Sequence, residues 1–199
     1  MPENLMKIIA AFVAIFTIMF AGGCTAPGSA VEPAADPSTP MPESTDIPAE
    51  FSLEALGDAT YQGVLEQPIT LVDGRFEGQP FVEGGATRPI VTLIPEPMIY
   101  GDLDGDGRAD VAVLLATDTG GSGTFIHLAA VALQDGKPVN LATTLLGDRV
   151  RVQSLNIDND RIEVVLLTQG PDDPQCCPSQ EERHIFRLRE GLLVEEGAD

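Results

Sequence analysis

The chain has 199 residues, of which 31 are acidic and 11 are Lys or Arg, so its formal net charge is −20. This balance excludes proteins that hold nucleic acid through a basic surface, and proteins that hold anionic lipid through a polybasic patch. Three cysteines are too few for a small disulfide-framework protein. A hydrophobic fraction of 43% is too high for a chain that is disordered throughout.

Residues 1–23 combine a short apolar segment with small residues and lead directly to Cys24. Residues 8–20 form an unbroken apolar run, followed by the small residues 21–23 and then Cys24. Thirteen residues in a helix span roughly 20 Å, which is too short to cross a membrane but suits a signal sequence. The run and the cysteine resemble the bacterial lipobox, with Ala21 where Leu is usual. The resemblance implies that residues 1–23 are a lipoprotein signal peptide and that the Cys24 thiol receives a diacylglycerol. The alternatives are an uncleaved anchor and an ordinary secretory cut after Ala30.

Residues 24–50 differ in composition from the rest of the chain. They contain six prolines and five acidic residues, with no basic residue. Such a segment buries too little apolar surface to offset its ordering entropy, and proline and like charge extend it. It is predicted to be a tether between the membrane and a folded domain. The alternative is a Pro-rich recognition peptide.

Residues 51–199 are predicted to form one mainly β domain, an antiparallel meander that makes a small barrel or sandwich. A single helical turn is expected at residues 51–56, with Ser52 as N-cap. Asp73-Gly74, Asp135-Gly136 and Asn159-Asp160 are predicted hairpin turns, because such turns need positive φ. The predicted strands are 60–65, 69–72, 89–94, 98–100, 111–117, 124–133, 138–146, 149–157, 161–168 and 184–188.

The segment from Asp102 to Asp110 carries the clearest chemical motif, D-L-D-G-D-G-R-A-D. In a calcium loop, oxygens at positions 1, 3, 5 and 9 and a backbone carbonyl at position 7 surround the ion, and a glycine at position 6 allows the sharp turn. The predicted ligands are the side chains of Asp102, Asp104, Asp106 and Asp110 and the carbonyl of Arg108.

This loop differs from a helical calcium sensor, because position 12 is Val113 rather than Glu and the flanking segments are β-type. The pattern resembles the calcium loops of FG-GAP and VCBS repeats. The resemblance implies one bound Ca²⁺ in a loop between strands. The alternative is an acidic β-turn that holds no ion.

The glycine-rich segment 117–124 and the two histidines have residue types that also occur in enzyme sites. Residues 117–124 are glycine-rich, but a β-type run follows where a phosphate loop needs a helix. After Ser122, Thr124 stands where a nucleophile elbow needs its second flanking glycine. A flexible hairpin is therefore predicted, with phosphate or serine chemistry as the alternative. His127 and His184 lie within predicted strands, and we expect each to be a packed or edge histidine rather than a catalytic base.

Cys176 and Cys177 are neighbours, and they are the remaining thiols if Cys24 is lipidated. Outside the cytoplasm a disulfide is the expected state, although adjacent Cα atoms lie closer than in most bridges. The alternatives are two thiols that are buried or paired otherwise, a zinc or copper site, and a redox switch.

Several segments together resemble a family of uncharacterised bacterial lipoproteins, some of which also carry META-type domains. The similar stretches are the GDLDGDG loop at 101–107, the GGSGTF loop at 120–125 and Cys176-Cys177-Pro178. The resemblance implies a secreted β-rich domain and brings no known activity with it.

The sequence therefore predicts a non-enzymatic binding or structural lipoprotein of the bacterial cell envelope. It is expected to be held to the membrane by its N-terminal lipid, to face the periplasm or the exterior, and to be stabilised by Ca²⁺. The alternative is an envelope redox or hydrolytic enzyme that uses Cys176 and Cys177, or Ser122.

Overall fold

The computed structural model describes residues 51–174 and 176–197. The predicted signal peptide, Cys24 and the tether lie outside these residues. The described elements are one short helix and eleven strands. They are α1 Leu53–Gly57, β1 Thr60–Tyr61, β2 Ile69–Thr70, β3 Arg75–Glu77, β4 Ile90–Gly101, β5 Asp110–Asp118, β6 Thr124–Gln134, β7 Lys137–Asp148, β8 Arg151–Asp158, β9 Arg161–Thr168, β10 Gln180–Arg189 and β11 Leu192–Glu196.

Two antiparallel meanders make up most of the domain. β3 to β7 form a five-stranded sheet in chain order, and β8 to β11 form a four-stranded sheet in the same way. Buried side chains of both sheets, such as Leu128 and Ile162, join in one core cluster. The predicted mainly β fold, an antiparallel meander that makes a small barrel or sandwich, is therefore confirmed.

The five-stranded sheet is covered on both faces. One face packs against the four-stranded sheet. The other packs against α1 and the small β1–β2 pair, which contribute Leu56, Tyr61 and Ile69 to a second core cluster. Residues 110–115 of β5 and 126–132 of β6 are consequently all buried. This two-sided burial explains why both strands are continuous apolar runs rather than alternating ones.

The predicted helical turn and the three predicted hairpin turns are present. The side chain of Ser52 accepts a hydrogen bond from the Ala55 N–H at 3.1 Å, as an N-cap does. Both residues of each turn have positive φ: 52° and 77° at Asp73-Gly74, 53° and 73° at Asp135-Gly136, and 48° and 65° at Asn159-Asp160.

Several strand boundaries were predicted wrongly. The predicted strands 89–94 and 98–100 form the single strand β4, whose register shifts between Ile94 and Ile99, where two prolines remove backbone donors. The predicted strand 149–157 begins at Arg151, because Arg149 has a φ of 54° and belongs to a turn. The strands β3 and β11 were missed.

Asn140 ties the layers together at an irregular point of β7. It is 6% exposed and lies where the β6–β7 register shifts. Its amide donates to the carbonyls of Ala130, at 3.1 Å, and Ala142, at 3.0 Å. Its carbonyl accepts from the Gln62 N–H at 3.0 Å. One side chain thus supplies hydrogen-bond partners where the β6–β7 register shifts, and it fixes the segment at Gln62 to β7.

We expect Asn140→Ala to lower the free energy of unfolding by about 2–4 kcal/mol, because two buried carbonyl groups and the partly buried Gln62 N–H lose their partner. Denaturant unfolding would measure the loss. Asn156→Ala, on the exposed side of β8, is the matched control and should change stability by less than about 0.5 kcal/mol. Equal losses in the two variants would contradict the assignment.

Candidate functional site

The predicted calcium loop connects β4 to β5, which are neighbouring inner strands of the five-stranded sheet. Carboxylate oxygens of Asp102, Asp104 and Asp106 lie within 4.8 Å of one another. The structure therefore brings together three of the predicted ligands. Such a group of oxygens fits a hard cation such as Ca²⁺.

Backbone N–H groups hold these carboxylates in place. The two oxygens of Asp102 accept from the N–H groups of Gly105, at 2.7 Å, and Gly107, at 2.9 Å. Asp104 accepts from the Asp106 N–H at 2.9 Å. Gly107, the predicted turn residue, has a φ of 82°, which glycine adopts without steric cost. The backbone of the loop therefore fixes the positions of these carboxylates.

Asp106 also has a cationic partner. Its Oδ1 accepts from the Arg108 N–H at 2.8 Å, and its Oδ2 accepts from Arg108 Nε at 2.8 Å. The side-chain hydrogen bond from Arg108 is the main cause that lowers the pKa of Asp106. Arg108, whose carbonyl is a predicted ligand, thus also neutralises part of the acidic charge of the loop with its side chain.

Asp110 lies apart from the group of three. It is 2% exposed, and its Oδ2 accepts from the N–H groups of Leu103, at 2.9 Å, and Asp104, at 3.3 Å. Burial raises its pKa to about 6, and the negative charges of Asp104 and Asp106 add to the rise against those two hydrogen bonds. In the structure Asp110 closes the loop, and direct coordination by Asp110 stays a prediction.

Sequence reasoning missed the acidic tip of the β8–β9 hairpin. Asp158 and Asp160 line a cavity of about 480 Å³ together with Asp102. A Cβ atom at Gly101 would overlap Ile157, so glycine is needed for the two segments to approach. Asp160 accepts from Arg187 at 3.1 Å. Asp158 accepts from the neighbouring Asn159 side chain at 2.8 Å, and it is a further oxygen donor near the loop.

The candidate enzyme residues do not come together. Ser122 is exposed at the β5–β6 turn. His127 is buried on the sheet face that α1 covers, and burial lowers its pKa. His184 lies on the four-stranded sheet, where its Nδ1 is 2.6 Å from Glu195 Oε1 and its ring stacks on Phe186. His127 is thus buried and His184 half-buried, which fits the prediction of packed or edge histidines.

The predicted bridge partners Cys176 and Cys177 are paired with each other in the structure. Both are exposed, in the connection between β9 and β10. They line a cavity with Arg149 and Arg151, among other residues, and neither histidine lines it.

Comparisons with protein-family models, with curated proteins and with solved structures gave no match to this chain. Within residues 51–174 and 176–197, no helix has the length and apolar character needed to cross a membrane.

The buried carboxyl of Asp110 gives the ion-free loop a defined pH dependence. Because its folded-state pKa is raised from near 3.8 to about 6, its ionised form destabilises the fold fully above pH 6, and this cost disappears as the pH falls towards 3.8. Asp110→Asn keeps an acceptor for both N–H groups without the charge. In EGTA we expect the variant to melt higher than the wild type at pH 7.5, with the difference shrinking towards pH 4.5. A difference that is constant across this range would contradict the assignment.

Proposed function

We propose that this protein is a lipid-anchored component of the bacterial cell envelope, with a β-domain that one Ca²⁺ stabilises and a binding or structural role rather than an enzymatic one. The observation that carries the proposal is the convergence of Asp102, Asp104 and Asp106 on a loop between two central strands.

Electrostatics favours an ion in this loop. Two carboxylates about 4 Å apart repel by roughly 4 kcal/mol at an effective dielectric constant of 20. Arg108 contacts one of the three, Asp106, through a 2.5 Å ion pair that is largely exposed and thus weak. A divalent cation relieves the repulsion among all three and also offsets the cost of the buried Asp110 carboxylate.

The missing twelfth ligand sets the expected strength of binding. Val113 stands at that position and is fully buried in β5, so it supplies no oxygen. Water molecules or a neighbouring carboxylate such as Asp158 complete the shell. We therefore expect a dissociation constant of roughly 10⁻⁴–10⁻³ M, as in weak extracellular calcium modules.

Calcium should raise the melting midpoint of the protein. An ion that binds the folded state alone, at about 1 mM and with a Kd of ~10⁻⁴ M, stabilises it by roughly 1.4 kcal/mol. The midpoint should then rise by about 3–6 °C over its value in EGTA. Magnesium should do less, because it requires tighter octahedral geometry and keeps its waters. Calorimetry or circular dichroism would measure the midpoints.

The double variant Asp104→Asn/Asp106→Asn should lose the calcium response. Asp172→Asn/Glu181→Gln removes two exposed acidic charges elsewhere and is the matched control, which should keep the response. Equal wild-type midpoints in EGTA and in calcium would leave the ion-free acidic turn as the better interpretation.

The lipid anchor is supported by the sequence of residues 1–24, in which a short apolar run and three small residues precede Cys24. When the chain is expressed in a bacterial host fed radiolabelled palmitate, we expect label in the wild type and none in Cys24→Ser. Cys176→Ser removes a different cysteine and should label normally. Unchanged labelling of the Cys24→Ser protein would refute the anchor.

A binding role is favoured over the alternative of a redox or hydrolytic enzyme by the placement of the side chains. Ser122 is exposed, and the two histidines lie within strands away from it. The cavity at Cys176 and Cys177 contains no histidine or carboxylate in its lining to move a proton.

A further inference from the structure

The cavity beside the cysteine pair has a lining unlike the rest of this acidic protein. It has a volume of about 450 Å³ and lies where β6 and β8 begin and where β9 is followed by its connection to β10. Apolar residues and two arginines line it, and no acidic residue does. Its lining consists of Thr124, Ile126, Arg149, Val150, Arg151, Cys176, Cys177 and Pro178.

Hydrogen bonds order the segment that carries the cysteines. Asp173 Oδ2 accepts from the N–H groups of Gly170, at 2.8 Å, and Ser179, at 2.7 Å, which lie on either side of the pair. The Gln169 side chain donates to the carbonyls of Asp173, at 2.9 Å, and Pro174, at 2.8 Å. The Cys177 N–H donates to the Pro174 carbonyl at 2.9 Å. The sulfur wall is thus in place before a ligand arrives, which lowers the entropic cost of binding.

The opposite wall contains a backbone conformation that is unusual for its residue. Arg149 has a φ of 54°, in the left-handed region that disfavours a side chain. Its N–H donates to the Thr124 carbonyl at 2.7 Å, and its guanidinium contacts Asp148 Oδ2 at 2.8 Å. This turn places Arg149 and Arg151 on the same cavity, and Arg149 already has Asp148 as an ion-pair partner.

The guanidinium of Arg151 has no ion-pair partner among the described residues. Seven of the ten basic residues in the described part of the chain lie within 4.0 Å of a carboxylate; they are Arg75, Arg88, Arg108, Arg149, Arg161, Arg183 and Arg187. Arg151 has no such partner among the described residues, although the chain has 31 acidic residues. A guanidinium is a planar fork of donors that matches a carboxylate.

We propose that this cavity binds a small organic carboxylate, with its anionic group on Arg151 and its apolar body against the Cys176–Cys177 pair, Val150 and Ile126. This inference rests on the proposed binding role and names the class of ligand for it. The site uses none of the residues of the calcium loop. Its failure and the failure of the calcium proposal can therefore be told apart.

The test uses the purified full chain in calcium-containing buffer, with hexanoate as the probe. In ¹H–¹⁵N spectra we expect saturable shifts of the Val150, Arg151 and Cys177 amide signals, with a Kd on the order of 1 mM. The uncharged 1-hexanol should bind at least about tenfold more weakly, since it lacks the charge that Arg151 would pair. Acetate should also bind more weakly, since it lacks the apolar body.

Arg151→Gln should weaken hexanoate binding at least about tenfold. Arg189→Gln is the matched control, because Arg189 also has no ion-pair partner among the described residues. It is the last residue of β10, whereas the cysteines lie before the first residue of that strand. Its loss should leave the Kd within about twofold. Equal binding of hexanol and hexanoate, equal effects of the two variants, or no saturable shifts would each overturn the proposal. The comparison of hexanoate with 1-hexanol uses the wild-type protein, so it remains informative even if a substitution disturbs folding.

Discussion

Burial of β5 and β6 on both faces is the constraint on which the rest of this structure depends. Neither strand keeps a solvent-facing row of side chains, because α1 and the β1–β2 pair cover one face and the four-stranded sheet covers the other. The loops at the ends of these strands therefore start from fixed points. Asp110 is the first residue of β5, so the acidic loop is attached to the least mobile kind of backbone in the domain.

The features that local chemistry decides could be predicted from the sequence. Asp73-Gly74 and Asp135-Gly136 turn where expected because few other residue pairs accept positive φ at both positions. The strand β3 was missed because its three residues have no pattern of their own and are ordered by pairing with β4. The strand β11 pairs with β10 across a Glu190-Gly191 turn, a weaker signal than Asp-Gly.

In the candidate site, too, the features set by local sequence could be predicted, and those set by distant segments could not. The spacing of Asp102, Asp104 and Asp106 identified the group, because acidic residues two positions apart in one short loop bring their carboxylates close together. Their mutual repulsion then favours a cation between them. The position of Asp158 could not be predicted, because it lies some fifty residues along the chain and approaches through the contact of Gly101 with Ile157. The closing role of Asp110 depends on its burial, which the motif alone does not specify.

The meander topology has a consequence for how the chain folds. Within each sheet, every strand pairs with its neighbour in sequence, so hairpins can form with short loop closures, which favours fast pairing. The contacts that join distant parts of the chain are packing contacts between layers, together with the bond from Gln62 to Asn140, 78 residues away. We therefore expect docking of the layers to be the late step in folding. Until it occurs, the five-stranded sheet presents two apolar faces, which makes it the half of the domain that needs protection from aggregation.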